Sequence, residues 1–83
     1  MRVLYFSWLR ERIGTAEETV EPPAGIADVQ GLVDWLKARS DKHGEALADL
    51  RLVRVAVNQE HVPFSHPVKA GDEVALFPPV TGG

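Results

Sequence analysis

Asp28-Val29-Gln30-Gly31-Leu32-Val33-Asp34-Trp35-Leu36-Lys37-Ala38-Arg39 is the stretch that decides the fold. Val29, Leu32, Val33 and Leu36 fall at the i, i+3, i+4, i+7 spacing that gathers four apolar side chains on one helical face. The Asp28 carboxylate is placed to cap the first-turn N–H groups, and Lys37 and Arg39 suit the dipole at the other end. Trp35 sits at the edge of the stripe. Gly31 costs roughly 1 kcal/mol relative to alanine inside a helix, so it marks either close packing on a sheet or no function. This is the one convincing helix in the chain, and the placement of strands around it sets the architecture.

Upstream, Val3 to Trp8 is a nearly unbroken apolar and aromatic run, short enough for one central strand. Leu9 to Gly14 reads as a single helical turn closed by glycine, and Thr15 to Glu21 resumes extended structure before Pro22-Pro23. These two extended segments are expected to pair antiparallel. Downstream, Ser40 to Asp49 is polar and loosely patterned, which predicts a surface connection with at most a turn of helix around Ala46 to Leu50. Val53, Val55 and Val57 then alternate with Arg54, Ala56 and Asn58, the signature of a strand. Asn58 to His61 is a turn signal, and Pro63 and Pro67 limit Val62 to Val68 to an edge strand or irregular segment. Lys69 to Asp72 is a second turn before a last strand, Glu73 to Phe77, in which Val74 and Leu76 share a face. Two strands before one helix and the rest after it predict an α+β domain, a small mixed sheet with the helix across one face. The first and last long strands are the most apolar, so they are expected as parallel neighbours in its centre.

The 83 residues allow one small domain with a single core. A hydrophobic fraction of 45% with 25% charged residues is ordinary for a globular chain. Nine basic against twelve acidic residues leave a formal charge of −3 without a Lys/Arg cluster, which argues against nucleic acid or an anionic membrane. A partner that reads the overall charge is expected to be basic. There is no cysteine, which fits a reducing cytoplasm and requires any sulfur chemistry to use another group. No apolar run approaches the roughly 18 residues of a membrane span, and no signal-peptide pattern opens the chain. Met1 and the absence of a tag-like scar give the chain the look of a whole protein that is cytoplasmic.

Candidate chemistry is sparse. His43, His61 and His66 lack a metal-ligand spacing and are expected to be surface histidines, so no metal is assigned. Gly14, Gly25, Gly31 and Gly71 make no phosphate-binding loop, and the acidic pairs Glu17-Glu18 and Asp72-Glu73 read as solvated strand ends.

The terminus is different. Phe77-Pro78-Pro79-Val80-Thr81-Gly82-Gly83 is stiff at its root and bare at its end. At a glycine usage of about 7%, chance places two glycines there in roughly 0.5% of chains, so coincidence is a poor explanation. Six residues from Pro78 onward reach about 20 Å at roughly 3.3 Å per residue, and a carboxylate without neighbouring side chains can be threaded into a narrow pocket. If Val74 and Leu76 face the helix, Ala75, Phe77 and Ala56 lie on the opposite sheet face, a candidate docking patch beside the tail. Residues 1–77 are therefore read as the globular domain and 78–83 as a flexible C-terminal tail.

Arg10-Glu11 with Gly14, Val55-Ala56-Val57-Asn58-Gln59, and above all the run from Gly71 to Gly83 closely resemble the small, sulfur-carrying subunit of molybdopterin synthase. The resemblance spans nearly the whole chain in element order and implies the ubiquitin-like β-grasp fold. It further implies a carrier cycle. An E1-like adenylating enzyme uses ATP to convert the Gly83 carboxylate to an acyl-adenylate, and sulfur from a persulfide-bearing donor then replaces AMP to leave a thiocarboxylate. The tail enters the large subunit, where cyclic pyranopterin monophosphate takes sulfur from two successive carriers to form the molybdopterin dithiolene. The implied assembly is a heterotetramer of two small and two large subunits, with the acid-base groups on the large one and no cofactor bound by the carrier. Gly83 carries the sulfur, Gly82 supplies clearance, and Phe77, Pro78, Pro79, Val80, Thr81, Ala75 and His61 meet the partner; His61 stands where relatives often carry an apolar residue. Other readings are a sulfur carrier for another pathway such as thiamin thiazole synthesis, a ubiquitin-like protein modifier, and a β-grasp binding module with an inert tail.

Overall fold

A computed structural model describes residues 1–79. Its elements in chain order are β1 (Arg2–Tyr5), α1 (Trp8–Ile13), β2 (Glu17–Thr19), α2 (Val29–Lys37), α3 (Asp41–Ala46), a 3-10 turn (Leu50–Leu52), β3 (Arg54–Val57), β4 (Glu60–Val62) and β5 (Glu73–Phe77). The strands form one sheet in the order β2-β1-β5-β3-β4. β1 and β5 run parallel in the middle, with Val3 opposite Val74 and Tyr5 opposite Leu76, while β2, β3 and β4 join antiparallel. This is the predicted α+β arrangement, a mixed sheet gripped by α2 in the β-grasp manner.

Side-chain alternation sorts the sheet into two faces. Val3, Tyr5, Val55, Val57, Val74 and Leu76 are buried on the inner face, against Val29, Leu32, Val33 and Leu36 of α2. Each fully buried leucine or valine contributes about 1.5–3 kcal/mol relative to exposure. α2 starts where the sequence placed it, with Asp28 Oδ1 accepting from the Gly31 N–H at 2.8 Å. A Cβ on Gly31 would stand 3.3 Å from that same oxygen, so the close approach that favours glycine is to the cap and not to the sheet. The first two N–H groups of α2 donate to the loop before β5, Val29 to the His66 carbonyl at 3.0 Å and Gln30 to the Phe64 carbonyl at 2.8 Å. Residues 63–68 thus serve as an irregular strap over the helix start. The helix ends at Lys37 instead of Arg39, with the Ala38 and Arg39 N–H groups turned onto the Trp35 and Leu36 carbonyls.

Three further expectations are corrected. β1 stops at Tyr5 and does not continue to Trp8, because Ser7 takes φ 57 and redirects the chain into α1, which Gly14 closes at φ 95. The segment after α2 is no plain surface connection: Ser40 Oγ accepts from the His43 N–H at 3.1 Å and starts α3, whose Ala46 is buried together with the following Leu47. The turn before β4 is confined to Asn58 and Gln59, both left-handed at φ 52 and 71, so His61 belongs to a strand.

Candidate functional site

β5 leaves the sheet from its centre, between β1 and β3. Leu76 pairs with Tyr5 on one side and Val55 on the other, and its carbonyl accepts from the Phe6 N–H at 3.1 Å. Phe77 still pairs with Arg54. Pro78 and Pro79 follow, half-buried, and line an open groove with Ser7, Trp8, Arg12 and Leu52. Two proline N–H groups are missing there, so neither residue can extend the ladder. Val80, Thr81, Gly82 and Gly83, four of the residues assigned a role from sequence, lie outside the described residues.

Among the described residues no helix lies over the outer sheet face. Alternation places Leu4, Ala75, Phe77, Ala56 and His61 on it, and the structure brings these together: Ala56 sits between His61 and Ala75 in register, and is 6% exposed. The His61 ring lies 5.1 Å from that of Phe77. Leu4 and Phe6 belong to the same apolar area and were missed by the sequence reading, although the alternation used for β5 applies equally to β1. Phe6, at 48%, and Leu52, at 49%, are the large apolar side chains left most exposed among the described residues; Leu52 lines the groove with Pro78 and Pro79, and Phe6 is bonded through its backbone to Leu76.

Polar groups elsewhere are occupied with one another. His43 is buried, not a surface residue, because α3 packs it inward. Its Nε2 lies 2.8 Å from Glu18 Oε2, a carboxylate oxygen that accepts, so Nε2 is the donor there, and its Nδ1 lies 2.7 Å from Ser40 Oγ. The Tyr5 hydroxyl donates to the same oxygen at 2.6 Å. Burial pushes the Glu18 carboxyl up, yet the bonds from Tyr5 and His43 and the charge of Arg39 together hold it below the usual range. Burial, and then the Glu18 contact, keep the Tyr5 phenol protonated well above its ordinary value. Glu18 is therefore no solvated strand end: β2 alternation turns Glu17 out and Glu18 in. This constellation of serine, histidine and carboxylate faces the interior with its partners filled, and it acts as a staple between α3, β1 and β2. Asp72 is likewise buried, held below the usual carboxyl range by the Asn58 amide against the effect of burial, and by the Lys69 N–H. His66 is half-buried, with Nδ1 2.7 Å from the Pro67 carbonyl oxygen. Among the described residues no group of three or more His, Asp or Glu is arranged to hold a metal, and no helix is long and apolar enough to cross a membrane.

The central strand β5 thus gives way to Pro78-Pro79 at the edge of an apolar outer face. The model of the ThiS family matches residues 3–83. The chain belongs to the ThiS family. It is 46% identical over 83 residues to the molybdopterin synthase sulfur carrier subunit of Escherichia coli K12, covering 100% of this chain and 99% of that one. Among solved structures it is similar to molybdopterin converting factor, subunit 1, from Pyrococcus furiosus, with a TM-score of 0.76, 33% identity and 95% of each chain covered. It shares its fold with a chain of the complex of subunits 1 and 2 of the molybdopterin-converting factor from Helicobacter pylori 26695, at a TM-score of 0.64, 24% identity, and 99% and 96% of the two chains covered. The resemblance seen in the Gly71 to Gly83 run thus extends over the whole ThiS-family domain.

Proposed function

We propose that this chain is a sulfur carrier of molybdenum cofactor biosynthesis, the small subunit of a molybdopterin synthase. The observation that carries the proposal is the exit of β5, paired on both sides to Leu76, held by Arg54 on one side at Phe77, and followed in sequence by Pro78-Pro79 and the terminal Gly82-Gly83. The family membership and the full-length similarity to a molybdopterin synthase sulfur carrier subunit support it.

In this reading the Gly83 carboxylate is the reacting group. An adenylating enzyme of the E1 kind joins it to AMP at the expense of ATP. The outer sulfur of a donor persulfide attacks the acyl carbon and expels AMP, giving an acyl disulfide, and a thiol reductant cleaves that S–S bond to leave the thiocarboxylate and a disulfide of the donor. The acid-base groups then belong to the large subunit, and the carrier brings no cofactor of its own. The large subunit takes the tail, and the outer face around Phe77, Ala75 and His61 docks against it; the subunit 1 and 2 complex of the Helicobacter pylori relative supports that partner. Two small and two large subunits in a reducing cytoplasm complete the reading.

Coexpression with the adenylating enzyme and its sulfur donor, followed by intact-mass measurement, tests it. Exchange of one terminal oxygen for sulfur is the expected result. Isopeptide-linked conjugates would establish a protein modifier instead, and an unchanged mass an inert binding module. Sulfur loading without delivery to the molybdopterin precursor would move the carrier to another pathway such as thiazole synthesis.

A further inference from the structure

The charged groups of the outer face are sorted by end. Where β5 begins, Arg2 lies between Glu17, at 2.6 Å, and Glu73, at 3.2 Å, so that charges are matched. Where β5 gives way to Pro78, Arg54 stands directly across from Phe77, and His61 packs against the same ring. Among the described residues neither makes an ion pair. Arg54 Nη1 donates to the Arg51 carbonyl at 3.4 Å and the Val53 carbonyl at 3.2 Å, which leaves its Nε and Nη2 donors for another molecule.

We infer that the tail-root end of this face selects a partner that presents a carboxylate beside a hollow for Phe77, with Arg54 as the fixed positive charge and His61 as the second donor. The inference rests on the carrier reading and specifies the surface of the large subunit that the carrier recognises. A purely apolar partner would strip water from a guanidinium and an imidazole and return nothing, which is costly. A carboxylate supplies charge-assisted hydrogen bonds to both and steers the encounter into register. The whole chain is acidic, with a formal charge of −3, and on that basis alone a basic partner is expected. The local arrangement at Phe77 has the opposite sign, and contact-range chemistry outweighs a net charge spread over the surface and screened beyond about 8–10 Å. This is how one carrier can discriminate its own large subunit from others that offer a similar apolar cup.

The test is a titration of the full chain with the large subunit of its own organism at several salt concentrations. Wild type, Arg54→Gln and His61→Leu are compared, with thermal unfolding run alongside. Arg54→Gln is expected to raise Kd roughly tenfold and flatten its salt dependence, and His61→Leu to raise Kd several-fold, both with unchanged unfolding. Because both substitutions make the face less polar, an all-apolar dock requires unchanged or tighter binding, and that result overturns the inference while leaving the carrier reading intact. Absence of binding by the wild type overturns the partner assignment itself, and the inference with it.

Discussion

His43 Nε2 stands 2.8 Å from Glu18 Oε2, a bond that ties α3 to β2 across 25 positions of sequence. The same carboxylate oxygen takes the Tyr5 hydroxyl, so one anion organises a helix and two strands. Its oxygens also face Arg39, 4.0 Å away.

That arrangement gives the fold an acid limit. The Glu18 carboxyl is held below its ordinary 4.5, so its contribution is fully present above that value and is lost as pH falls through the lower, folded one. Asp72 contributes with the same sign. In Glu18→Gln this part of the acid dependence disappears, and near neutral pH the variant is less stable by about 1–3 kcal/mol. Thermal unfolding followed from neutral to acid pH checks both outcomes; equal acid slopes for variant and wild type would refute them.

Gln59 occupies a left-handed conformation at φ 71 that glycine adopts without strain. Gln59→Gly is predicted to stabilise the protein by roughly 1 kcal/mol, the steric penalty relieved being about 1–2 kcal/mol less the entropy of a freer unfolded chain. Denaturant midpoints of the two proteins measure it. Asn58 should not be changed with it, because its side chain bonds both Asp72 and the Glu73 N–H.

Deleting Gly83 is predicted to abolish sulfur loading and leave Tm unaltered, since the buried core runs from Val3 to Leu76. Mass spectrometry and calorimetry on the same preparation separate the two effects. A shortened chain that still supports molybdopterin formation in a purified system would end the carrier assignment.

Phe77→Ala is predicted to weaken large-subunit binding at least tenfold, as expected for a central aromatic anchor, with a much smaller loss of stability. Its ring lies on the helix-free face, half-buried and against His61, not in the core. Comparable losses of binding and stability would place it in the folding role instead.

Most of the fold was legible because its strands and α2 bury one face each, and a buried face imprints a period on the sequence. Val53, Val55 and Val57 show a period of two, and Val29, Leu32, Val33 and Leu36 that of a helix. α3 carries no such stripe: it is short, contains Gly44, and is held by a buried histidine, whose partner Glu18 is too distant in sequence for local pattern to reveal. The Ser40 cap was the one local signal for it. At the candidate site, Phe77, Ala75 and Ala56 followed from alternation, whereas the lack of a carboxylate partner for Arg54 among the described residues depends on which side chains pair across the sheet.

Among the described residues β5 is the last strand in sequence and also the middle one of the sheet. A polypeptide interrupted before residue 77 during synthesis lacks the seam that joins its two halves, leaving β2-β1 and β3-β4 as separate hairpin-sized pieces below independent stability. Length is therefore checked by the topology itself: translation must pass residue 77 before the five-stranded domain exists.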